Sequence, residues 1–135
     1  MKTIKNTLIG LLSLLFLISC SDEKINLGTI EGKWKLTEQY IDPGDGSGDF
    51  TPVNSSRAIT FNSNGTFTSN GDLCELATTS NVSSNGIYNE IDKTITINDC
   101  SDLNSELSYS ITNNKLIVSY TCIEVCQHKY TKVSN

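Results

Sequence analysis

From Ile30 onward, apolar and polar residues alternate. Even positions read Ile30, Gly32, Trp34, Leu36, Glu38 and Tyr40, while Glu31, Lys33, Lys35, Thr37 and Gln39 are all polar. Side chains along an extended chain point to opposite faces in turn, so this rhythm predicts a half-buried strand with Trp34 and Tyr40 on one inward side. The same period recurs in Arg57–Phe61, Thr66–Thr68, Gly86–Ile91, Thr94–Asn98, Leu107–Thr112, Lys115–Thr121 and Gln127–Val133. Asn64-Gly65, Asp92-Lys93 and Asn113-Asn114 stand between successive runs and supply tight hairpin turns. No apolar stripe follows helical spacing. About eight short strands in a meander bury one face best by closing on themselves, which also removes exposed edges. The predicted fold is all-β, a small up-and-down antiparallel β-barrel.

That order has a geometric consequence. Strands one, three, five and seven finish at one rim, so residues 41–56, 69–85, 99–106 and 122–126 connect there, while short turns shut the opposite end. Long connections in compact domains are often functional. Inward parity near the open rim selects Tyr40, Arg57, Tyr120 and His128 as ligand-binding candidates, aromatics with one charged donor among them. The competing expectation is that the tyrosines cap the core and Arg57 pairs with Glu38 inside the barrel. Trp34 is assigned to the core, near the shut end.

Upstream of the barrel, Lys2 and Lys5 precede an apolar run from Leu8 to Ile18. A positive start, an apolar stretch and a small residue before the cut describe a secretory signal over residues 1–19. The run is short of the ~20 apolar residues that a spanning helix needs. Leu17-Ile18-Ser19-Cys20 resembles the lipobox of bacterial lipoproteins, which implies lipidation of Cys20 and a membrane tether over residues 20–29. Ser21-Asp22-Glu23-Lys24 resembles the surface-export signal of Bacteroidetes-type lipoproteins. The address expected from these resemblances is the cell envelope, as a surface-exposed outer-membrane lipoprotein.

Gly32-Lys33-Trp34 resembles the G-x-W motif of lipocalins. Residues 30–135 form one expected domain, and Ile30 to Lys132 is similar to the small lipocalin-like domain of Bacteroidetes lipoproteins. The residues that carry this likeness are Asp42-Pro43-Gly44-Asp45-Gly46-Ser47-Gly48, then Thr60-Phe61 to Gly65-Thr66-Phe67, then Cys122-Ile123-Glu124 and Cys126. The T-D-Y motif of larger lipocalins is missing. The last-strand arginine that packs on the family's tryptophan has no certain match, with Lys129 and Lys132 the cations of that strand. The resemblance implies a binding module that holds a small apolar or amphipathic ligand at the open end, with segment 41–56 in the position of the lid loop. The alternative is a surface interaction protein whose rim loops contact another macromolecule on a filled barrel.

Four cysteines follow Cys20: Cys74, Cys100, Cys122 and Cys126. An even number in an exported domain predicts two disulfides. Cys74–Cys100 would join two strand exits and Cys122–Cys126 would close the last hairpin; the competing arrangement crosses the first two cysteines to the hairpin. A metal site built from Cys122, Cys126 and His128 fits no common spacing, so neither metal nor cofactor is expected. Asp42, Asp45 and Asp49 read as a flexible acidic turn, because a calcium loop's sixth-position glycine and distal glutamate are missing. The net charge of −5 becomes −7 once the two leader lysines are removed, which argues against nucleic acid as a partner. One histidine and no G-x-S-x-G, H-E-x-x-H or phosphate-cradling loop argue against an enzyme, leaving only Glu38, Glu75, Glu106 and Glu124 as conceivable acid–base groups. Asn81-Val82-Ser83 fits a glycosylation sequon.

Overall fold

The computed structural model describes residues 28–78, 82–100 and 103–134. The leader, Cys20, most of the tether and Asn81 lie outside the described residues. Nine strands form one antiparallel sheet: β1 (Gly32–Ile41), β2 (Phe50–Pro52), β3 (Ala58–Phe61), β4 (Thr66–Ser69), β5 (Ser84–Asn89), β6 (Thr94–Ile97), β7 (Glu106–Thr112), β8 (Lys115–Ser119) and β9 (Cys126–Ser134). Neighbours follow chain order from β3 to β9, and β1 closes the ring by pairing with β9 along its whole length. This is the expected meander, an eight-stranded barrel with one strand added.

The added strand lies in the segment expected to be the lid. Glu38, Gln39 and Tyr40 of β1 pair with Pro52, Thr51 and Phe50 of β2, and Gly32 to Lys35 pair with Phe61 to Ala58 of β3. Strands β2 and β3 therefore run along the same edge of β1, separated by an excursion over residues 53–57. Backbone bonds from Val53 N to Thr37 O and from Leu36 N to Arg57 O, both 3.0 Å, pin the two ends of that excursion. By extending the pairing beyond β3, β2 covers an edge of β1 that would otherwise be open.

A second irregularity decides which way side chains point. Leu36 pairs with Tyr130 and Glu38 with Lys129, so Thr37 is an extra residue, a β-bulge. Below the bulge, Trp34 and Leu36 face inward at 0% and 1% exposure. Above it the parity inverts: Gln39 stands opposite buried His128, while Glu38 and Tyr40 turn to the outer surface. The expectation of an inward Tyr40 is corrected by this bulge. Arg57 likewise does not pair with Glu38, whose carboxylate instead meets Lys129 Nζ at 2.7 Å outside the barrel. Lys129 also stands 3.7 Å over the Phe50 ring, and Phe50 packs edge-on against Tyr40 at 5.4 Å.

The core fills the lower barrel with Trp34, Ile59, Phe61, Phe67, Ile95, Leu107, Leu116 and Tyr130, all at or below 2% exposure. Trp34 Nε1–H donates to Ile30 O at 2.6 Å, and Lys132 Nζ lies 5.4 Å above its ring. Lys132 thus takes the place of the last-strand cation on the tryptophan. Tight turns shut this end: Asn113 and Asn114 both adopt positive φ, as a two-residue hairpin requires, while in Asn62–Thr66 only Gly65 does.

Candidate functional site

Segment 70–78 covers the open end, and several bonds hold it there. Its Leu73 is fully buried. Ser84 Oγ accepts from Leu73 N at 2.9 Å, Gln39 Nε2 reaches Leu76 O at 3.4 Å, and Asn104 Nδ2 donates to Cys74 O at 3.0 Å. The lid is therefore segment 70–78, which follows β4, in place of segment 41–56. The aspartates of segment 41–56 instead cap their own turns, with Asp42 accepting from Gly44 N and Gly46 N and Asp45 from Ser47 N. Among the described residues no group of three His, Cys, Asp or Glu side chains is arranged to hold a metal.

The excursion before β3 delivers Arg57 to the centre of the lid. Ser55 Oγ accepts from Arg57 N at 3.0 Å and donates to Thr78 O at 2.5 Å, fixing the turn from both sides. The Arg57 side chain, 2% exposed, donates from Nη1 to Ala77 O and from Nη2 to Asp72 O, and Nη2 also reaches the Tyr120 hydroxyl at 3.2 Å. Gly71 makes room for it: a Cβ there would stand 2.8 Å from Arg57 Cγ. Among the described residues no carboxylate forms an ion pair with this guanidinium.

Below Arg57 a run of rings continues into the barrel. Tyr120 meets His128 edge-on at 5.0 Å, and His128 meets Tyr130 at 6.2 Å. His128 and Tyr130 are completely buried. Among the described residues, Arg57 Nε, both His128 ring nitrogens and the Tyr130 hydroxyl have no partner within hydrogen-bond geometry, although the Tyr130 and Tyr120 hydroxyls are close enough to interact. Burial, reinforced by the nearby Arg57 charge, holds the His128 imidazole down to about 3, so it is neutral at pH 7. Burial also raises the Tyr120 and Tyr130 phenols, so both keep their protons. The result is one fixed positive charge above neutral groups that can each donate or accept a hydrogen bond.

Three of the four rim candidates, Arg57, Tyr120 and His128, come together inside, and Tyr40 does not. Tyr130 and Gln39 join the cluster. Tyr130 shares the parity of His128 and was legible from that; Gln39 was hidden by the Thr37 bulge. Glu75, Glu106 and Glu124 are exposed and Glu38 is paired outside. Both disulfides take the favoured pairing, Cys74–Cys100 and Cys122–Cys126, with Cα separations of 5.6 and 6.2 Å. Beside the second lies a depression of about 370 Å³, bounded by Tyr120, Ile123, Val125 and Gln127. A larger recess of about 960 Å³ lies at the shut end between Gly28, Lys33, Asn62 and Lys132. It contains none of the unpartnered buried atoms.

The molecule so described is a closed antiparallel barrel with one end shut and the other lidded, built around a buried polar cluster. The lipocalin-like domain family matches residues 30–135, and the chain belongs to that family. No curated protein and no solved structure matches the chain.

Proposed function

We propose that this protein is a membrane-anchored binding module that holds a small apolar or amphipathic ligand at the lidded end of the barrel. Ligand binding in general is what a lipocalin-like barrel suggests. The observation that carries the finer reading is the double position of Tyr120. Tyr120 borders the rim depression, and its hydroxyl receives the Arg57 hydrogen bond inside. An elongated ligand would lie along Ile123 and Val125 with its polar end passing Tyr120 towards Arg57. Apolar walls with a few convergent polar groups are the usual make-up of such sites. Native mass spectrometry of the purified protein tests this: a stoichiometric adduct that disappears on denaturation is expected, and reproducible ligand-free spectra after growth in lipid-rich medium would count against it.

The anchor belongs to the same proposal. Gly28 lies against Ile111, and Lys132 Nζ donates to Thr29 O at 3.3 Å, so the described chain starts at the shut end. A lipid on Cys20 would be separated from Gly28 by a segment reaching at most about 28 Å. The shut end would then face the membrane and the lid would face away, on either side of an outer membrane.

A second reading rests on Ile123, fully exposed at the tip of the last hairpin, with Ile41 and Val125 more than half exposed nearby. An apolar tip above a filled lower barrel suits a rim that docks on another macromolecule. Ile41→Asp, outside the path proposed for the ligand, would weaken such docking and leave a small-molecule adduct in place.

A further inference from the structure

We infer that the ligand of this site carries a single anionic oxygen-bearing group, a carboxylate, and that Arg57, His128 and Tyr130 receive it beneath the lid. The inference rests on the binding-module reading and names the ligand's chemistry. Its first support is charge. Arg57 is the chain's only arginine, it is 2% exposed, and among the described residues it has no acidic partner. Carbonyl oxygens and a phenol satisfy some of its N–H groups without neutralising it. A buried charge without a counter-charge is costly, whereas guanidinium and carboxylate match in shape as well as sign.

The second support is the set of orphaned atoms. Arg57 Nε–H, one nitrogen of neutral His128 and the Tyr130 hydroxyl can all donate, and among the described residues none has a partner within hydrogen-bond geometry, the Tyr130 hydroxyl having only the neighbouring Tyr120 hydroxyl to interact with. His128 and Tyr130 belong to one run of edge-on rings, which Tyr120 joins to Arg57. One ordered water could serve several of these atoms, but water would leave the guanidinium unneutralised. A carboxylate supplies both the acceptor oxygens and the charge. A second cation is the wrong sign, and a doubly charged phosphate would exceed the one positive charge present. The carboxylate could belong to a long-chain acid whose tail lies in the rim depression, or to a small free acid.

The chain has one arginine and one histidine, so the Arg57 Nε–H and His128 imidazole NMR signals need no assignment work. The purified protein, stripped of bound lipid, is titrated with octanoate, 1-octanol and acetate. Octanoate is expected to move both signals saturably and to bind at least about tenfold tighter than octanol, a difference of about 1.4 kcal/mol. Acetate moving the same signals with an affinity equal to octanoate's would support the carboxylate seat and identify a small free acid as its source. Octanol binding as tightly as octanoate would overturn the inference and leave the binding module standing. If none of the three binds, both fall. Arg57→Gln should remove the preference for octanoate; should that variant fail to fold, Tyr130→Phe, which removes one hydroxyl, should weaken octanoate about threefold or more and leave octanol unchanged.

Discussion

At the scale of single residues, burial sets the behaviour of the site. The His128 imidazole is neutral when folded and titrates at about 3, against an ordinary value of 6.5. Between pH 6.5 and 3 the unfolded chain takes up a proton that the folded one refuses, so acid favours unfolding across that window. The full difference corresponds to roughly 5 kcal/mol. Urea denaturation at stepped pH should show stability falling from pH 6.5 downward, with a flatter profile for His128→Phe. Steric room is equally specific. A Cβ on Gly86 would stand 2.0 Å from Thr96 O and 2.8 Å from the Phe67 ring, both of them fixed. Gly86→Ala should therefore cost about 3 kcal/mol or more, by the usual scale of overpacking, read from the same denaturation curves. At Gly71 the clash would fall on the anchored Arg57 stem, so Gly71→Ala should disturb the Arg57 Nε–H signal.

Among the elements, the lid and the last hairpin are each stapled, but by loops of different length. Cys74 and Cys100 are 26 positions apart, Cys122 and Cys126 only 4. Loop-closure entropy then assigns about 3.5 kcal/mol to the first bridge and about 2 kcal/mol to the second. Replacing each pair by alanines should reproduce that order in thermal unfolding. The outer cluster on β1, β2 and β9 should matter far less. Lys129 is partly exposed in its pair with Glu38, and exposed pairs contribute about 0–1 kcal/mol. Lys129→Ala loses the contact over Phe50 as well, and should still cost no more than about 2 kcal/mol.

For the whole molecule, the two ends are different in kind. Tight turns shut one end around Trp34 and Lys132; the other gathers the lid, both disulfides and the buried cluster. Under the anchoring proposal this polarity becomes an orientation. Dyes attached at Ser63→Cys in the shut-end turn and at Ile123→Cys on the rim hairpin should respond differently in vesicle-bound lipidated protein. A lipid-embedded quencher should reach the first and spare the second. Equal quenching would mean that the barrel lies on its side.

The period of two by itself determined the strands, the turns, the inward place of Trp34 and the gathering of four cysteines at one rim. Those features are local or follow from strand order, and parity is inherited along any unbroken strand. Parity failed where a strand was broken. The Thr37 bulge has no composition of its own, so Tyr40 read as inward, Gln39 as outward, and Glu38 as a partner for Arg57. Strand β2 escaped notice because three residues carry too little pattern to be seen without their partner. Which loop covers the mouth, and that Arg57 holds it through backbone carbonyls, depends on contacts between residues 15 and 20 positions apart. Only the closed barrel brings the sole arginine over the sole histidine, because Arg57 immediately precedes β3 and His128 lies in β9, and those two strands lie on either side of β1.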